Sequence, residues 1–145
     1  MIGEAFIVTI SINIVIVGVV IAVIGLIAAI GIPNLMPSLS GGREAAAIGS
    51  MRTLSTAAEQ YRLRQGSYPT TLSDLAAVDP ALVDSEIANG ERNGYSFVLT
   101  GQQSTFDCNA NPTSDNGSRY FYVDESGVIR QSVSGAAGPT DTPVG

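Results

Sequence analysis

Residues 5–32 read AFIVTISINIVIVGVVIAVIGLIAAIGI, a block of 28 residues without a single charge. From residue 13 onward only Asn13, Gly18, Gly25 and Gly31 interrupt its apolar character. As an α-helix the block would extend about 42 Å at about 1.5 Å per residue, and a bilayer core asks for about 20 residues. The stretch therefore predicts a membrane-spanning helix, since it exceeds the length of ordinary buried core segments. A secretory signal would be shorter and would carry a basic n-region and a small-residue cleavage site, whereas the first basic residue here is Arg43.

On the far side of this block, Pro33, Pro37 and Gly41-Gly42 break the pattern, and a second helical stretch reads from about Arg43 to Arg64. Ala47, Met51, Leu54, Ala58 and Tyr61 recur there at spacings of four and three, while Arg52, Thr56, Glu59 and Arg62 lie off that stripe. This half is amphipathic and should pack on a soluble layer, with Ser40 as a cap near its start and Gly66 as its stop. If the two halves are collinear they form a rod of about sixty residues and about 90 Å, whereas a compact globule of this length has a radius of gyration of about 15 Å. Such a rod needs a bilayer or copies of itself around it.

The remainder reads as a small head. Tyr95, Phe97 and Leu99 alternate with Ser96 and Val98, and Phe106 and Cys108 with Thr105 and Asp107; RYFYV at 119–123 and the segment 127–133 complete about four short strands. Gly101-Gln102-Gln103 and Asp124 to Gly127 supply turn chemistry. Short helical pieces are expected near Ser73 to Ala77 and Pro80 to Asn89, and the last residues, AAGPTDTPVG, as a loosely packed tail. The expected fold is thus α+β. A long N-terminal hydrophobic helix, broken near Gly25–Pro37, continues as an amphipathic helix packed on a small antiparallel sheet. The division is 1–42 for the apolar helix and 43–145 for the head, with helix 43–64, connecting loop 67–93, sheet 94–133 and tail 134–145.

Composition narrows the chemistry. Seven arginines face thirteen acidic residues for a net charge of −6, so no basic nucleic-acid footprint is present overall, and no specific nucleic acid is expected as a partner. With no histidine and one cysteine, the chain lacks a Ser-His-Asp triad, c-type haem attachment, a CxxC pair and the usual zinc ligand sets. No nucleophile comes with a recognisable base, so neither catalysis nor a cofactor is expected. Asp107, Asp124 and Glu125 carry calcium-type oxygens, but their spacing matches no dedicated loop and reads as a solvated turn, so no metal is expected. Asn116-Gly117-Ser118 fits the glycosylation pattern and equally a turn, and Cys108 reads as a small core residue.

The segment 24–34, IGLIAAIGIPN, resembles the N-terminal helix of type IV pilins and type II secretion pseudopilins, where an apolar run ends in proline-asparagine. AIGSMRTLSTAAEQYRLRQGSYPTTLSDL, which begins at Ala47, is similar to the amphipathic half of the pilin helix and the tyrosine-proline passage into the head. The order of long helix, connecting loop and terminal sheet matches along nearly the whole chain. The resemblance implies a homo-oligomer, a helical filament whose core is built from the apolar helices. Subunits would wait as single-span proteins in the inner membrane until pilus or secretion machinery assembles them at the cell surface. Gly18, Gly25, Ala28, Ala29 and Gly31 are then the small residues that let core helices approach. Gly25, Gly31, Pro33 and Pro37 mark where the helix should open in the filament. The leading expectation is a major pilin-like subunit of an extracellular fibre. The alternatives are a secretion pseudopilin or a solitary membrane-anchored sensing or binding domain.

Two features depart from the family pattern. Aligning Pro33 with the family's proline puts Ile16 where a glutamate stands in pilins, and the only acid in the first 43 residues is Glu4. Glu4 either pairs with a neighbouring amino terminus inside an apolar core, where an unpaired charge is costly, or marks the membrane edge as an interfacial charge. The positive-inside rule, applied to Arg43 after an uncharged span, places the head in the cytoplasm; the resemblance implies the opposite.

Overall fold

A computed structural model describes residues 1–145 apart from residues 115–117 and the side chains of 31–38. The protein is α+β and divides into two compact units, Met1–Leu39 and Ser40–Gly145. Helix α1 (Ile2–Gln65) contributes to both.

In the first unit the segment Ile2–Ile30 is long and apolar enough to cross a membrane, and none of it is buried within the chain. Its Ile and Val residues are mediocre helix formers in water. In hydrocarbon that ranking gives way to the need to satisfy every backbone polar group internally, which a helix does. The break expected near Gly25–Pro37 is absent from the isolated chain: α1 is one helix from Ile2 to Gln65, and Gly25, Gly31, Pro33 and Pro37 all lie within it, since a proline removes one helical hydrogen bond without having to end the helix.

In the second unit the amphipathic stripe behaves as its spacing requires. Ala47, Met51, Leu54 and Ala58 are buried, with Ala57 beside them and Tyr61 half-buried against the same core. Ser40 does not cap this stretch, because α1 is already helical there and runs on through Gly41-Gly42. Glycine costs only about 1 kcal/mol per position in a helix, too little to force an end where packing resumes. Gly66 does end it: its φ of +81° is left-handed, and its N–H closes on the Arg62 carbonyl at 2.8 Å.

Two short helices follow, α2 (Leu72–Ala77) and α3 (Ser85–Ala88). Asp74 Oδ2 ties down the start of α2 by accepting from the N–H groups of Thr70 and Thr71, both at 2.9 Å, and from the Thr70 hydroxyl at 2.7 Å. These bonds, that of the Thr70 side chain foremost, hold the Asp74 carboxyl below its ordinary range. Asp84 caps α3 by accepting from the Ile87 N–H at 2.9 Å. The helix expected from Pro80 is therefore confined to the residues after this cap.

The sheet is a six-stranded antiparallel meander in which each strand pairs with its neighbours in sequence. Four strands correspond to the alternating runs: β2 (Tyr95–Gly101), β3 (Phe106–Pro112), β4 (Tyr120–Asp124) and β5 (Arg130–Ser132). Two more were not expected, β1 (Glu91–Arg92) and β6 (Thr142–Pro143). The sheet thus reaches beyond 94–133 at both ends. The tail is not loose: the Val144 N–H donates to the Ile129 carbonyl at 2.8 Å, Arg130 Nη1 to the Asp141 carbonyl at 3.0 Å, and the Val144 side chain packs against the core. Tyr95, Phe97, Leu99, Phe106, Cys108, Ala110, Phe121 and Val123 point inward and form one core with the α1 stripe, Leu72, Leu75 and Ile87.

Candidate functional site

The most exposed apolar surface of the molecule is the first unit of α1, from Phe6 to Ile30. Its three polar side chains within the span are turned back on the helix. Thr9 Oγ1 donates to the Ala5 carbonyl at 2.9 Å, Ser11 Oγ to Ile7 at 2.9 Å, and Asn13 Nδ2 to Thr9 at 2.8 Å. This back-bonding satisfies both hydroxyl donors and one amide donor of Asn13 without water, as an apolar surrounding favours. The sequence shows only three polar interruptions here, and in the structure each places a donor on the carbonyl four residues back.

The small residues singled out for helix approach divide on this surface. Gly18 and Gly25 are seven apart and so share a face within about 20°. Ala29 follows Gly25 by four and stays on that stripe, whereas Ala28 lies to one side, about 60° from Gly25 and about 80° from Gly18 at about 100° per residue. Ala22, four after Gly18, completes the stripe and was not among the expected residues; the four-residue spacing was the available signal. A methyl group added at Gly18 or Gly25 would meet nothing within 4 Å, so neither glycine is required by the isolated chain. Gly31 falls outside the described side chains. Glu4 stands in the first turn of α1, where a negative charge is favoured by the helix dipole, and has no ion pair among the described residues.

In the head, one polar cluster binds the helix to the sheet. Glu44, 9% exposed, accepts from Arg119 three times: from its backbone N–H at 3.0 Å, from Nε at 2.9 Å and from Nη2 at 2.7 Å. Arg119 Nη1 reaches the side chain of Gln131 at 2.5 Å, and the Tyr95 hydroxyl donates to the Arg119 carbonyl at 2.9 Å. Burial, followed by the nearby Glu44 carboxylate, pushes the Tyr95 phenol above its ordinary value. Seventy-five residues separate Glu44 from Arg119, so no local pattern announces the pair. A carboxylate buried this far is stable because three N–H groups of Arg119 donate to its two oxygens. Its role is to fix the start of β4 against α1.

At the opposite end of β4, Asp107 and Asp124 face each other across β3 and β4, and Glu125 follows. Desolvation first, then Glu125 and Asp124, raises the Asp107 carboxyl. Asp124 Oδ1 is taken by the backbone N–H and hydroxyl of Ser126, within the turn that Gly127 closes with φ of +71°. Among the described residues no group of three acidic, cysteine or histidine side chains is arranged to hold a metal ion. Cys108 is fully buried, and burial pushes its thiol up to about 12, so at neutral pH it is a protonated core residue. Asn116 and Gly117 of the glycosylation-type triplet lie outside the described residues.

Compared with family models, curated proteins and solved structures, the chain matches none of them. The chain has a folded head with its own core and, from Ile2 to Ile30, an apolar helical surface with none of its length buried.

Proposed function

We propose that this chain is the structural subunit of a type IV pilus-like filament, acting by assembly and not by catalysis. One observation carries the reading. The segment Phe6–Ile30 is entirely unburied within the chain, and its Thr9, Ser11 and Asn13 side chains bond back to helix carbonyls, so it suits an apolar environment. A bilayer supplies that environment to a single subunit, and neighbouring copies supply it in a fibre. Sequestering a Val or Ile side chain from water stabilises by about 1.5–3 kcal/mol, and lipid tails provide most of the same gain. Preference for partners over lipid must then come from close packing, which the stripe of Gly18, Ala22, Gly25 and Ala29 permits. The resemblance of segments 24–34 and 47–75 to pilins supports the same assignment.

On this reading subunits wait in the inner membrane, with the head outside the cytoplasm, and are assembled at the cell surface. In the fibre the helix opens between Gly25 and Pro37, and Glu4 pairs with a neighbouring amino terminus. The decisive experiment is negative-stain microscopy of a sheared surface fraction with peptide identification of this chain. Long fibres containing it are expected, and Gly18→Leu together with Gly25→Leu should abolish them while leaving the amount of membrane-bound subunit unchanged. Protein that stays wholly with the membranes, in cells with intact assembly machinery, defeats the filament reading and leaves a membrane-anchored domain. A head labelled only from the cytoplasm defeats it as well.

A further inference from the structure

Between Phe6 and Ile30, Asn13 is the one side chain that keeps both a donor and an acceptor open among the described residues. Its Nδ2 gives one N–H to the Thr9 carbonyl at 2.8 Å, and Thr9 and Ser11 spend their hydroxyl protons in the same way. The second Asn13 N–H and Oδ1 are left, on a side chain that is exposed within the chain. Inside the span Ile2–Ile30 there is no water to take them, and an unpaired amide in hydrocarbon is costly. An apolar seam runs through this residue. Ile10, Asn13, Val17, Val20, Ile24 and Ile27 recur at alternate spacings of three and four, the period with which two helices pack side by side. Ile10, Asn13 and Val17, together with Ile14, line one open groove. At about 100° per residue Asn13 lies roughly 120–180° from Gly18, Ala22, Gly25 and Ala29, so the seam is a second surface of the helix.

The open groups of Asn13 specify the occupant. A carboxamide presents a donor and an acceptor side by side, and a second carboxamide answers both at once. Lipid tails carry neither. A second copy of this chain brings the same amide to the same depth, because copies inserted by one route share one orientation. Depth also excludes the opposite arrangement: Asn13 stands three residues from Ile16, the midpoint of Ile2–Ile30, so in an antiparallel pair the two amides would be about 9 Å apart along the axis. We propose that subunits pair in the bilayer as parallel dimers along this seam, each Asn13 donating its open N–H to Oδ1 of the partner's Asn13. One polar residue within an apolar seam of this period fixes register and the number of partners. The inference rests on the membrane placement of α1 adopted above but not on fibre assembly, and the pair leaves the glycine side of the helix open for that step.

The test is Förster energy transfer between copies of the full chain in phosphatidylcholine vesicles, followed over a series of lipid dilutions. The chain contains no lysine, so dyes attached by amine chemistry sit at the amino terminus alone. Transfer above that of randomly placed chains is expected, falling on dilution along a dimer isotherm. Asn13→Leu should weaken association about tenfold, whereas Asn13→Gln, which keeps the amide, should retain it. Gly18→Leu together with Gly25→Leu, on the other side of the helix, should leave it unchanged. Transfer at the random level in the unaltered chain overturns the proposal, as does an Asn13→Leu chain that pairs as tightly as the unaltered one. Loss of pairing in the glycine variant alone also overturns it, in favour of contact through the small residues. Washing the vesicles with alkaline carbonate separates the two readings. A chain stripped from the lipid overturns both the pairing and the membrane placement, whereas a chain that is retained but solitary refutes the seam and leaves the filament reading to its own experiment.

Discussion

Replacing Glu44 by alanine probes the strongest polar joint between α1 and the sheet. The substitution removes three hydrogen bonds, at 3.0, 2.9 and 2.7 Å, and leaves Arg119 without its counter-charge. Breaking a fully buried ion pair from one side costs about 3–5 kcal/mol. Here the Arg119 side chain keeps 40% of its surface while Glu44 keeps 11%, so water recovers part of the guanidinium and the full figure does not apply. The stranded backbone N–H and the lost charge-assisted bonds leave a destabilisation of about 2 kcal/mol. For a domain of roughly a hundred residues that lowers the unfolding midpoint by about 8–16 °C. Glu44→Gln, which keeps one acceptor oxygen, should lose about half as much. The assay is near-ultraviolet circular dichroism of the full chain in micelles: with no tryptophan, the tyrosines report on the head, and Tyr95 bonds to Arg119 directly. Far-ultraviolet signal would be dominated by the apolar helix and would miss the transition. A double-mutant cycle with Arg119→Met should show a coupling above about 1 kcal/mol. A loss below about 0.5 kcal/mol for Glu44→Ala, or losses that simply add in the cycle, would refute the reasoning.

Three further outcomes are expected. The Asp107 carboxyl is raised in the folded head, so its contribution favours folding below the ordinary aspartate pKa and is lost as pH rises through the raised value. Asp107→Asn should therefore stabilise at neutral pH by about 0.5 kcal/mol, a figure reduced for exposure. The gain should fade towards about pH 4, and an equal gain at both pH values would contradict the assignment. At Gly101 an added Cβ would stand 2.0 Å from the Pro69 carbonyl oxygen and 2.9 Å from its carbon, both backbone atoms that cannot swing aside. Gly101→Ala should cost about 3 kcal/mol in urea unfolding, and a cost below about 1 kcal/mol would show that the crossing of these two segments is looser than described. Cys108, buried and with its thiol pushed up to about 12, should resist maleimide at neutral pH until the head unfolds; rapid labelling of the folded chain would contradict its place in the core.

Much of this architecture is legible in the chain because the signals are local. An uncharged run of 28 residues admits few soluble solutions, and the four-three spacing from Ala47 to Tyr61 puts one stripe of α1 inward whatever that stripe packs on. Two-residue alternation does the same for β2, β3 and β4. The errors fall where pattern is weakest. β1 and β6 are two residues each, too short for alternation to register, and β6 contains Pro143, which local rules exclude from a strand interior but which an edge strand accepts. Ser40 has the composition of a cap, yet capping preference of about 1 kcal/mol does not override a helix that is already running.

Side-chain periodicity and hydropathy, properties of neighbours along the chain, settled by themselves the amphipathic half of α1, the strands β2, β3 and β4, and that the front of α1 suits an apolar surrounding. Only the tertiary structure decided which distant groups meet. The Glu44 clasp on Arg119 and the facing of Asp107 and Asp124 depend on register between strands and on how α1 lies across them. The physical reason is one of range. Helix and strand preferences are fixed within a few residues, whereas a hydrogen bond between residues seventy-five apart exists only after the whole core has set the distance between them.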